Sequence, residues 1–115
     1  MKAGLILGLV GLLLGGCVAP PVNYYYGAYS RSLYRSKKDS TPESLAKHRD
    51  VLLDIIRTSE RRGIKVPPGI YFEYGYLLAK EGSPEAERYF GMEVKAYPEA
   101  ERFVSFVRAQ LQGKS

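Results

Sequence analysis

The sequence predicts an all-α fold, a small helical domain that follows a cleaved leader and a short tether. Three observations predict it. No segment sustains the apolar/polar alternation of a half-buried strand. Four segments instead repeat apolar residues at spacings of three and four. Between them stand the residues that stop and start helices: Gly63, Pro67-Pro68-Gly69, Gly82-Ser83-Pro84 and Pro98. The chain has 115 residues. That length allows one modest core and excludes a doubly wound nucleotide-binding domain or a barrel enzyme with a deep cleft. The 10 tyrosines, against 4 Phe and no Trp, give this small module an unusual phenolic surface.

The first 16 residues read as a removable signal. Lys2 supplies the positive start, and Ala3–Leu14 is an apolar run of 12 residues, about 18 Å as a helix. A membrane span needs roughly 20 residues, so the run reads as a signal peptide and not as an anchor. Leu14-Gly15-Gly16-Cys17 follows, with the one cysteine of the chain at its end. This tetrapeptide resembles the bacterial lipobox. The resemblance implies a diacylglyceryl thioether on Cys17, cleavage before it, and palmitate or a similar acyl chain on the new amine. A lone thiol has no disulfide partner in its own chain and is a liability in an oxidising compartment; acylation removes that liability. Several acyl chains hold a protein stably on a bilayer. Val18 follows in place of Asp, and by resemblance to diderm lipoproteins this implies an outer-membrane address, lipid-anchored on the periplasmic face. Residues 17–23, with Ala19-Pro20-Pro21-Val22, read as the lipidated cysteine and an extended tether. Residues 24–115 read as the helical domain.

The domain opens on a tyrosine cluster, Tyr24 to Tyr29, and a short helix is expected from Gly27 to Ser36. The next helix is expected over 41–62. Ser40 with Glu43 fits a capping box, Thr41 with Pro42 fits an N-cap followed by a first-turn proline, and Gly63 ends the helix. Leu45, His48, Leu52 and Ile55/Ile56 form its apolar stripe. Val66, before Pro67, is pushed to extended geometry. Ile70 to Glu81 reads as a third helix, with Tyr71, Tyr74 and Leu78 on one stripe. Its mid-helix Gly75 costs about 1 kcal/mol against Ala, a cost explained if another helix crosses closely there. Gly82, Ser83 and Pro84 read as helix stop, N-cap and first position of a fourth helix carrying Ala86, Phe90, Val94 and Tyr97. A last helix over 99–112 puts Ala100, Phe103/Val104, Val107 and Leu111 on one face.

Residues 67–98 resemble a tetratricopeptide-like helix pair, with Gly75, Ala86 and Phe90 as the small and large residues at the crossing and Pro98 as the closing proline. A second resemblance covers nearly all of the mature chain. It is carried by Tyr26-Gly27-Ala28-Tyr29, Leu33-Tyr34, Pro67-Pro68-Gly69-Ile70, Glu73-Tyr74-Gly75-Tyr76-Leu77-Leu78, and Ala86, Phe90, Glu93 and Tyr97-Pro98-Glu99. These look like a family of small bacterial outer-membrane lipoproteins of unknown function, often encoded beside a curli-secretion-channel-like lipoprotein. Phe72 is larger than the residue this pattern calls for. The resemblance brings no catalytic residues; it implies a lipoprotein that works with neighbouring lipoproteins.

The formal net charge is +5. Its basic residues are mostly interleaved with Glu and Asp, which reads as a solvated mixed-charge surface and points to no nucleic acid. A single histidine and a committed cysteine leave no transition-metal site, and no cofactor is expected. His48 reads as a packed or half-exposed imidazole outside any Ser–His–acid arrangement. Glu73 and Glu93 read as solvated or charge-paired; a hydrolase would need both fixed across a cleft. The expectation is therefore a non-enzymatic protein-interaction or assembly module in an outer-membrane lipoprotein complex. A peptidoglycan- or glycan-binding envelope module is the alternative. Tyr25, Tyr29, Tyr34, Tyr71, Tyr74 and Tyr76 are the candidate contact residues, because exposed tyrosines suit interfaces.

Overall fold

A computed structural model describes residues 23–113. The leader, Cys17 and the tether through Val22 lie outside the described residues. Five α-helices follow in order, with no strand among the described residues: α1 (Tyr29–Lys38), α2 (Pro42–Arg62), α3 (Ile70–Lys80), α4 (Ala86–Ala96) and α5 (Glu101–Gly113). The all-α class is as the sequence predicts.

The helix ends show how local chemistry sets the boundaries. Gly27 adopts φ +51°, so the chain turns there and α1 begins at Tyr29, whose amide donates to the Tyr26 carbonyl at 3.0 Å. The start of α2 corrects the expected Ser40–Glu43 box. Thr41 Oγ1 accepts from the Ser44 amide and Ser44 Oγ accepts from the Thr41 amide, both at 3.1 Å. Pro42 is the reason: it forces Thr41 into extended geometry, at φ −101° and ψ 157°, so Thr41 is the cap and the reciprocal partner falls three residues on. Gly63 ends α2 at φ +67°, with its amide and that of Ile64 closing on the Glu60 and Ser59 carbonyls. Gly82 does the same for α3. Ser83 serves both ends: its amide donates to the Leu78 carbonyl at 2.9 Å, and its Oγ accepts from the Glu85 amide at 3.3 Å, capping the turn that leads into α4. Residues 84–85 turn, and α4 starts at Ala86. Pro98–Ala100 form one 3-10 turn that leads into α5.

The core is Leu52, Ile55 and Ile56 from α2, Ile70, Tyr71, Tyr74 and Leu78 from α3, Ala86 and Phe90 from α4, and Val104 from α5. α3 and α4 form the most extensive pair. They meet at Gly75, where an added Cβ would lie 3.1 Å from the Ala86 carbonyl oxygen and 3.1 Å from the Phe90 ring. This is the close crossing that a glycine in mid-helix predicts. The carbonyl is backbone and cannot step aside, so Gly75→Ala is expected to destabilise the fold by about 1–2 kcal/mol, even though alanine is the better helix former by about 1 kcal/mol. A urea midpoint shifted downward checks it.

Candidate functional site

Six tyrosines are the expected contact residues, and the structure divides them. Tyr71 and Tyr74 are each 8% exposed and belong to the core, which corrects their assignment to a contact surface. Their spacing on α3 is that of the buried stripe, and Tyr74 packs edge-on against Tyr89 at 4.6 Å between centroids. Tyr25 is half-buried; it donates to Asp54 Oδ2 at 2.9 Å and lies under the Arg62 guanidinium. Tyr29 is half-buried and donates to Glu73 Oε2 at 2.8 Å. Tyr34, 64% exposed, and Tyr76, half-buried, remain on the surface.

Around Tyr29 the three N-terminal helices share one polar cluster. His48 rises from the inner stripe of α2 and is 2% exposed. Its Nε2 lies 2.6 Å from Glu73 Oε1 on α3, and its Nδ1 lies 2.6 Å from Ser32 Oγ on α1. Glu73 thus receives Tyr29 and His48 on separate oxygens, and one imidazole joins α1 to α3. His48 lies on the α2 stripe as the sequence predicts, but the structure brings Ser32, His48 and Glu73 together across 41 positions of chain, where no Ser–His–acid arrangement is expected. Ser32 carried no signal of its own beyond standing three residues after Tyr29. Glu93 goes elsewhere. It is 3% exposed, and its two oxygens accept from the Gly69 and Phe72 amides at 3.0 and 3.1 Å. The two carboxylates thus bond to different groups, Glu73 to Tyr29 and His48 and Glu93 to the first amides of α3.

Burial, then the bond to Glu73, pushes the Tyr29 phenol up to about 12. Burial likewise raises Tyr71, Tyr74 and Tyr97. Tyr97 donates to the Val66 carbonyl at 2.7 Å. A phenol that holds its proton more tightly folded than unfolded contributes stability fully below its unfolded value of about 10. That stability is lost as pH rises through about 12 for Tyr29. The expected result is alkaline unfolding across this window, with the tyrosinate absorbance rising together with loss of helical circular dichroism.

A second feature was not legible as a site. Phe103 and Phe106 on α5 are 57% and 62% exposed. Periodicity allows Phe103 or Val104 as the inward residue; Val104 is the buried one, and Phe103 turns out beside Phe72 at 4.9 Å. Phe72 also stacks with Tyr76 at 6.2 Å and contacts Phe90 at 5.6 Å. The oversized Phe72 is therefore the link between the core and an exposed aromatic strip that Tyr76, Phe103 and Phe106 complete. Among the described residues no group of three or more His, Cys, Asp or Glu is placed to hold a metal ion. None of the described helices is long and apolar enough to cross a membrane.

Comparison with known families gives one match: the family described as "Domain of unknown function (DUF4810)", over residues 23–107. No curated protein and no solved structure matches the chain.

Proposed function

The chain belongs to that family of unknown-function domains, and from this premise we propose that it is a non-enzymatic, lipid-anchored interaction module facing the periplasm from the outer membrane. Its partner is another envelope lipoprotein that lays an apolar helix or strand on the Phe72–Tyr76–Phe103–Phe106 strip. The exposed aromatic strip is the observation that carries this reading. Two phenylalanines more than half in water, one turn apart and continuous with the core, are costly for an isolated domain and are the composition of an interface centre. The lipobox at Cys17 supports the location. The part-buried cluster of Ser32, His48 and Glu73 supports a structural role in joining three helices, since Ser32 Oγ also donates to the Tyr29 carbonyl of its own helix at 3.2 Å.

The test is in-cell crosslinking of the C-terminally tagged full chain, followed by detergent extraction and mass spectrometry. Enrichment of one or two lipoproteins is expected. It should fall at least tenfold in the Phe103→Ser/Phe106→Ser pair and disappear when Cys17→Ser prevents anchoring. Capture unchanged in the phenylalanine pair overturns the surface assignment. Co-sedimentation with purified sacculi would favour the glycan-binding alternative. Covalent labelling of Ser32 by a fluorophosphonate would overturn the non-enzymatic reading.

A further inference from the structure

The charge of the domain is not evenly spread. α1 carries Arg31, Arg35, Lys37 and Lys38 and no acidic residue. Its outer side, with the first turns of α2, bounds an open groove of about 610 Å³. Arg31, Arg35, Lys38 and Lys47 line the groove against two carboxylates, Asp39 and Glu43. Glu43 already faces Lys47 at 3.6 Å. Arg31 and Arg35 sit at i and i+4, so their guanidiniums project from successive turns of one face. Two forked donors so placed suit the non-bridging oxygens of one phosphate. Tyr34 lines the same groove, and Tyr26 stands exposed before α1. Rings with an apolar body and a polar tip favour the headgroup level of a membrane.

We propose that the α1–α2 groove binds the phosphate of an anionic phospholipid headgroup, giving the domain a second hold on the membrane beside its acyl anchor. Chain order argues for a lipid over a free anion. α1 is the first helix after Cys17, and the 11 residues between them reach at most about 40 Å. The acyl anchor therefore keeps the groove within reach of the bilayer surface. This step rests on the lipid-anchored reading of the protein. A basic helix of this kind next to an anchor gains about fivefold in membrane association per basic residue at an anionic surface.

The test uses the full chain purified in a neutral detergent. Dihexanoyl phosphatidylglycerol is titrated while backbone amide NMR shifts are followed. Dihexanoyl phosphatidylcholine and inorganic phosphate are run as separate arms. Saturable shifts over residues 31–38 and at Lys47 are expected with phosphatidylglycerol. They should weaken about 25-fold in Arg31→Ala/Arg35→Ala and fade with added salt. The two arginines are exposed, so unchanged amide positions in α3–α5 certify the fold of that variant. An equal response to phosphatidylcholine, inorganic phosphate binding as tightly as the lipid, or no response at all overturns the proposal. The acyl mass on Cys17, read in the same preparation, reports anchoring separately. An unacylated chain that still binds phosphatidylglycerol keeps the groove and loses the anchored reading.

Discussion

Glu93→Ala is expected to lower stability by about 3 kcal/mol, read as a urea midpoint shift at unchanged slope. The side chain is 3% exposed, and its carboxylate does what a local N-cap would do for α3. The residue at that cap position is Gly69, at φ +88°, which has no side chain to offer the first turn. Glu93 reaches over from α4 and accepts from the Gly69 amide with one oxygen and the Phe72 amide with the other. A hydrogen bond to a charged acceptor contributes about 1.5–3 kcal/mol, and the helix dipole favours an anion at this end. Truncation removes two such bonds and leaves the Gly69 and Phe72 amides without their acceptor at a part-buried site. Against the 5–15 kcal/mol that typical domains have in total, this is a large loss. Glu93→Gln keeps the shape but can offer an acceptor to one amide only, so about half the effect is expected. A solvated carboxylate, the reading the sequence suggested, would give a change within about 0.5 kcal/mol for both variants.

Glu93 and Gly75 differ in how far the sequence reveals their use. The difference lies in the kind of information each residue carries. A glycine in mid-helix costs something locally, so its presence argues for a distant compensation and the crossing with α4 follows. A glutamate in a helix costs nothing locally and carries no mark of its use. Gly69 held the missing signal: a helix preceded by Pro-Pro-Gly has no side chain able to cap it, and some other group must. The same distinction separates Val104 from Phe103. Both are apolar and adjacent on α5, and periodicity within one helix cannot decide which of two neighbours faces inward. Only the position of Phe72 on α3 settles it. The helices themselves were legible because their stops are local events, and their boundaries differ by one or two residues from those expected. Thr41 displaced Ser40 because proline constrains the residue before it. Ser83 closes the end of α3 with its amide and caps the 84–85 turn with its hydroxyl, so α4 itself starts two residues later than Pro84.

His48→Ala is expected to detach α1 from the rest of the fold, and this effect should be regional where that of Glu93 is global. His48 touches polar groups on both flanking helices, Ser32 on α1 and Glu73 on α3. α1 packs chiefly on α2, while α2, α3 and α4 share the main core. Removing the imidazole deletes two hydrogen bonds and leaves a cavity under Tyr29, whose ring lies 5.6 Å from that of His48. The loss of packing and of satisfied polar partners amounts to about 3 kcal/mol. Beside that bridge α1 keeps the Tyr29–Glu73 bond, the packing of Tyr29 on the core and its contact with α2, and the segment before it keeps the Tyr25–Asp54 bond at the surface. A loss of this size falls first on α1, which contributes none of the fully buried apolar core, so the helix is expected to open while the core persists. Hydrogen exchange reads the difference. Amides over 29–38 should lose their protection in His48→Ala while those of α3 and α4 keep most of theirs. In Glu93→Ala protection should fall throughout. Ser32→Ala gives the companion measurement, because it removes the α1 end of the bridge and leaves His48 on Glu73. Its cost should be about 1 kcal/mol alone, and nearly nothing when added to His48→Ala. Additive losses would mean that the two side chains act independently, and that α1 is held by its apolar contacts instead of by the imidazole bridge.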